Sequence, residues 1–152
     1  RKQREYLRDY IEENAIDFSV SSVDNNKIDQ LNILNATHLA MHNAVKDLNV
    51  SPEFLLVDGH KFKPYYDADG ELIEHQCIVK GDSKYASIAC ASILAKVYHD
   101  EYIDKLCNEN PDLNKYNWKS NMCYGTADHL AAIKEFGISE FHRKTFGICK
   151  EY

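Results

Sequence analysis

Four apolar residues in a row, Phe54-Leu-Leu-Val57, end abruptly on Asp58-Gly59. So short a continuous run, closed by a turn pair, reads as a strand buried on both faces, as in a parallel sheet. Parallel strands are joined by crossovers that are usually helical, so this segment commits the chain to an α/β layout if helices flank it. Leu31, Leu34, His38, Met41, Val45 and Leu48 recur at alternating steps of three and four, which predicts an amphipathic helix with Asp29 as its cap. Arg1–Asn14 reads as a charged helix, with Tyr6, Leu7, Tyr10 and Ile11 at helical spacing. From Ser83 to about Leu106 a helix rich in small residues (Ala86, Ala89, Ala91, Ser92, Ala95) is expected to pack closely on several sides. Thr126 is expected to cap a last helix, Ala127–Phe136, that Gly137 stops.

The remaining segments supply strands and loops. Asp17–Val23 alternates apolar and small polar residues and predicts a strand with one solvated face. His60–His75 is a polar excursion or small hairpin turning at Asp69-Gly70, Cys77–Val79 a short strand, and Pro111–Cys123 a loop. No repeat or Pro/Gly-rich linker divides residues 1–152, which predicts a single α/β domain.

Charge and cysteine usage exclude several classes of function. A formal net charge of −6 argues against wholesale nonspecific nucleic-acid binding, yet His142, Arg143, Lys144 and Lys150 permit a local basic face. Five cysteines without a CxxC spacing argue against a disulfide framework or zinc ribbon and for a reducing cytoplasm. No apolar run is long enough to cross a bilayer, and no signal peptide opens the chain. Arg1 already sits inside a helical pattern with no cap before it, so further residues are expected upstream.

Two carboxylates stand out by position. Asp58 follows a buried strand, where open α/β sheets bind ligands at the carboxyl edge. Asp82 lies between Gly81 and the small-residue helix. Hard oxygen ligands of this kind suit magnesium or manganese, which keep several waters. Two plainer readings stand beside this one: Asp58-Gly59 as a turn, and Asp82 as a helix cap. His38 and His42, one helical turn apart, could share zinc, but His38 falls on the apolar stripe and no HExxH glutamate follows. Gly81–Lys84 lacks the glycines of a phosphate loop, and Ser83 and Ser87 have no local base to activate them. Tyr116, Trp118 and Tyr124 read first as packing and second as stacking surfaces for a base or sugar.

Taken in order, several blocks resemble ribonuclease HII. Leu31–Met41 is similar to the helix after that family's third strand, and Leu56-Val-Asp-Gly59 to its strand ending in Asp-Gly. Ile78–Lys84 with Ser87–Lys96 resembles the family's most distinctive stretch. Tyr124-Gly-Thr126, His129 and Phe141-His-Arg-Lys-Thr-Phe146 complete the order. The resemblance implies a ribonuclease H-like mixed sheet flanked by helices, ending in a helical region. It implies an endonuclease that cuts RNA paired with DNA, or at ribonucleotides in duplex DNA, using magnesium or manganese. Asp58 and Asp82 match the third and fourth of the family's four carboxylates. Tyr124 matches the tyrosine expected near the ribose–deoxyribose junction, and Arg143 in the closing block is a candidate substrate contact. A monomer is expected, and a sliding-clamp contact is left open.

This chain departs from the pattern in three places. It contains no Asp-Glu-Ala-Gly-Arg-Gly stretch, the source of the family's first two acids; Cys123 stands where the family usually has glycine; and the insert between Asp58 and Asp82 is long. These 152 residues alone are therefore expected to be inactive, and the domain to be incomplete at its amino terminus. The rivals are a non-catalytic remnant or partner-binding module of the same fold and, more remotely, an α/β enzyme using Asp58 as a phosphoryl acceptor.

Overall fold

A computed structural model describes residues 1–152 and contains two compact units. The first comprises Arg1–Val23 and Leu34–Val97, the second Asp24–Ile33 and Tyr98–Tyr152. No helix is long and apolar enough to cross a membrane.

The first unit holds helix α1 (Lys2–Asn14), most of α3 (Ile33–Lys46), and strands β1 (Phe54–Asp58), β2 (Tyr65–Tyr66) and β3 (Leu72–Ile78). It also holds the first half of α4 (Ala86–Glu109). The sheet is mixed, in the order β1-β3-β2: β1 runs parallel to β3 with Asp58 opposite Ile78, and β2 runs antiparallel to it. The expected hairpin is present. The Asp67 carboxylate accepts from the amides of Asp69 and Glu71, and Gly70 takes the positive φ of 83° that the turn needs.

Several expectations are corrected. Only Val57 of the apolar run is buried, and Phe54 is 49% exposed, because β1 is an edge strand of this sheet and not an enclosed one. Residues 17–23 form no strand: the Phe18 amide bonds the Asp17 side chain, which also accepts from the Asn49 and Val50 amides. This local capture replaces ladder bonds. In α4 the small residues Ala86, Ser87, Ala91, Ser92 and Ala95 are exposed, and the buried side is Ile88, Leu94 and Val97. The long helix expected from Leu31 to Leu48 is broken at Asn32, whose φ of 67° divides α2 (Asn25–Leu31) from α3. Asp24, not Asp29, caps α2, accepting from the Lys27 amide at 2.7 Å.

The second unit is a helical cluster of α2, the rest of α4, α5 (Trp118–Asn121) and α6 (Ala127–Phe136), with 310 turns at Pro111–Tyr116 and Gly147–Glu151. Its core gathers Ile103, Cys107, Leu113, Tyr116, Trp118, Ala132, Ile133 and Cys149. Pro111–Cys123, expected as a loop, is largely helical because Tyr116 and Trp118 are drawn into this core and stack at 5.4 Å. The last helix agrees with expectation. Thr126 Oγ1 accepts from the His129 amide, and Gly137, at φ 74°, ends it.

Candidate functional site

Asp58 is the last residue of β1 and is exposed. Gly59 donates its amide to the Ile78 carbonyl at 3.0 Å and turns at φ 117°, a conformation that suits glycine. After β3 the chain passes through Lys80, held left-handed (φ 55°, ψ 45°), into a 310 turn at Gly81–Ser83. That turn aims the Gly81 amide at Asp58, and Oδ1 accepts it at 2.8 Å. A Cβ at Gly81 would lie 2.6 Å from Ile88 Cδ1 and 3.4 Å from Asp58 Oδ1, so no side chain fits between helix and carboxylate.

The same turn presents Asp82. Ser83 Oγ donates to the Lys80 carbonyl and Lys84 Nζ to the Val79 carbonyl, each bracing the turn from its own side chain. Asp82 is exposed and lies four residues before α4 begins, so it does not cap that helix. The two predicted acids thus follow neighbouring parallel strands, and Asp58 keeps Oδ2 outside any hydrogen bond in the chain. Such donors match a small hard cation that retains water. No group of three or more His, Cys, Asp or Glu side chains gathers to hold a metal, so the pair is short of a complete ligand set.

The histidine pair of α3 is not a zinc site. His38 Nε2 donates to the Lys61 carbonyl (3.3 Å) and His42 Nε2 to the Lys63 carbonyl (3.0 Å), so each ring serves a different backbone group.

Tyr124 and Arg143 lie in the second unit. Tyr124 is 61% exposed, but its carbonyl accepts from the Thr126 amide at 2.8 Å and from His129 Nδ1 at 3.0 Å. Trp118 Nε1–H donates to His129 Nε2 (2.9 Å), which therefore carries no proton. His142 Nε2 lies 3.2 Å from the same atom, while its Nδ1 accepts from the Ser139 amide at 3.0 Å. With Nδ1 accepting, the N–H of His142 Nε2 and the indole N–H of Trp118 share the single lone pair of His129 Nε2, while His129 Nδ1 donates to the Tyr124 carbonyl. Burial, with His129 beside it, pushes the His142 pKa down to about 4.

Arg143 follows this ring and stacks its guanidinium 4.2 Å from the centre of Phe146. The segment is held from α2. Asn25 Nδ2 donates to the carbonyls of Glu140 and His142, and the Asp29 carboxylate accepts from the Lys144 and Thr145 amides and the Thr145 hydroxyl. Although burial opposes its charge, the bonds from Thr145 and Lys144, with Arg143 nearby, hold the Asp29 carboxyl below its usual range. The His129–His142 contact therefore links the segments carrying Tyr124 and Arg143. Cys123, in the glycine position of the resemblance, takes the glycine-like φ of 63°. Burial, then Cys107, raises its thiol to about 12, so it is no nucleophile at neutral pH.

Sequence reasoning missed Gly81 as the partner of Asp58 and missed the clamp by Asn25, Asp29, His129 and His142. The sequence carried a local signal only for the first, in the glycine beside Asp82.

The profile of the ribonuclease HII family matches residues 1–149. The chain is 50% identical to the ribonuclease HII of Christiangramia forsetii over 145 residues, covering 95% of this chain and 69% of that protein. It is 47% identical to that of Phocaeicola vulgatus, covering 96% and 69%, and 48% identical to that of Parabacteroides distasonis, covering 99% and 71%. Among solved structures, the ribonuclease H2 of Pyrococcus horikoshii superposes with a TM-score of 0.74 at 21% identity, over 99% of this chain and 74% of that one, which shows a shared fold.

Proposed function

The chain belongs to the ribonuclease HII family, and on that premise we propose that it carries part of the active site of a metal-dependent endonuclease cutting the RNA strand of RNA–DNA hybrids. The proposed substrates include single ribonucleotides embedded in duplex DNA. The observation that best supports this reading is the pair of exposed carboxylates, Asp58 at the end of β1 and Asp82 in the 310 turn that follows the neighbouring parallel strand β3. There the Gly81 amide orients Asp58 and leaves its second oxygen for a cation.

Two magnesium or manganese ions, when bound, would supply Lewis-acid charge at the scissile phosphate and a more acidic attacking water. Asp58 and Asp82 contribute fixed negative charge and oxygen ligands. Hydrolysis breaks the bond between phosphorus and the 3′ oxygen, giving a 3′-hydroxyl and a 5′-phosphate. Tyr124 is assigned the sugar contact at the ribose–deoxyribose junction, where the 2′-hydroxyl distinguishes RNA from DNA, and Arg143 a phosphate contact. We place the protein in the cytoplasm, acting as a monomer of one domain.

These 152 residues hold two of the four acids the family pattern requires and are proposed to be inactive alone. A cleavage assay of this polypeptide on a labelled RNA–DNA hybrid with magnesium tests this, the expected result being no cut product. Robust magnesium-dependent cutting would show that Asp58 and Asp82 suffice.

A further inference from the structure

Directly after Asp58-Gly59 the chain runs through His60-Lys61-Phe62-Lys63 without joining a helix or the sheet. It is nonetheless fixed from beneath. The carbonyls of Lys61 and Lys63 are each taken by a histidine of α3, and the Phe62 ring sits edge-on to His38 (5.9 Å), His42 (5.2 Å) and His75 (5.1 Å). Phe62 is thus half-buried, while Lys61 and Lys63 on either side of it are exposed. Neither lysine makes an ion pair or side-chain hydrogen bond within the chain, although acidic residues outnumber basic ones overall.

His38 shows that this anchoring has a cost. The ring is only 6% exposed, and because Nε2 carries the proton given to Lys61, Nδ1 is a bare acceptor that is buried without a partner. A leucine would fill the space with no dry acceptor. What histidine adds at this position is the bond that sets the Lys61 backbone.

We propose that Lys61 and Lys63 form a held basic edge that takes the phosphate backbone of a nucleic-acid duplex next to the Asp58 end of β1. This rests on the reading of the chain as part of a hybrid nuclease. Because a chain of net charge −6 repels a polyanion overall, local cations at fixed positions are needed beside the acids. Contacts to phosphate carry no sequence information, so the edge serves hybrid and DNA duplexes alike.

The test is fluorescence anisotropy of this polypeptide with a labelled RNA–DNA hybrid and a matched DNA duplex, across a series of salt concentrations. Lys61→Ala/Lys63→Ala is expected to weaken binding of both duplexes about tenfold at 0.1 M salt and to lower the salt slope by roughly 0.9 for each lysine. An unchanged slope overturns the proposal while leaving the nuclease reading intact. Failure of the unaltered chain to bind either duplex even at low salt overturns the proposal as well, and the nuclease reading is judged separately by the cleavage assay. His38→Leu is expected to melt no lower than the unaltered chain yet bind severalfold more weakly. A stable His38→Leu that binds normally removes the anchoring role. The lysine substitutions, both at exposed side chains, decide the rest even if that variant fails to fold.

Discussion

Acidification acts on the second unit through His142. In the folded chain the ring is neutral, with its pKa pushed down to about 4 by burial and by His129, whereas an unfolded histidine titrates near 6.5. Between those values the unfolded chain binds a proton that the folded chain does not, so stability falls as pH falls. The loss begins near pH 6.5, runs at up to about 1.4 kcal/mol per pH unit, and levels off below about pH 4. Allowing for screening by nearby solvent, the interval amounts to about 2 kcal/mol, a large share of the roughly 5–15 kcal/mol that holds a domain together. Asp29, the carboxylate clamping the same segment, is held below its ordinary 3.8 and loses its contribution only beneath this window. Urea unfolding followed by far-UV circular dichroism at half-unit pH steps measures the slope, and His142→Gln is expected to abolish most of it. The same slope in His142→Gln as in the unaltered chain would refute the assignment.

Three further outcomes follow from the site. Gly81→Ala is expected to cost about 1–3 kcal/mol in urea unfolding, since its Cβ would sit 2.6 Å from Ile88 Cδ1. Asp29→Asn is expected to lose about 1 kcal/mol at pH 7. That difference is present above the unfolded pKa and is lost as pH falls through the lowered folded value, which paired melts at successively lower pH will show. Manganese added to the unaltered chain is expected to broaden NMR signals around Gly59 and Asp82 first, and Asp58→Asn to need severalfold more metal for the same broadening. Equal broadening in the two proteins would remove Asp58 from the ligand set.

Features set by adjacent residues were legible before any coordinates. The end of β1 at Asp58-Gly59, the Asp69-Gly70 hairpin, and the Thr126 cap and Gly137 stop of α6 each depend on local backbone chemistry. The ordered family blocks brought out Asp58, Asp82 and Tyr124, which periodicity alone left beside plainer readings. What stayed hidden depends on distant partners or on a single tolerated conformation. Asp29 looked like a cap because a carboxylate before an apolar stripe commonly is one. Its true partners, Lys144 and Thr145, lie more than a hundred residues away along the chain. The break at Asn32 interrupts no periodicity, and the residue that turns there, at φ 67° and ψ 164°, is not the glycine that would have marked it. Residues 17–23 had a strand's alternation but no ladder to join, and a ladder is not written into one strand's own sequence.

Trp118, the single tryptophan of the chain, gives its indole proton to His129 and lies 5.0 Å from the ring of His142. An imidazolium at that distance accepts an electron from an excited indole far more readily than a neutral ring does. The molecule therefore carries its own optical indicator: protonation of His142 would dim the emission of Trp118 while the helices remain intact. The charge on one buried ring becomes readable in light, separately from the unfolding that it promotes.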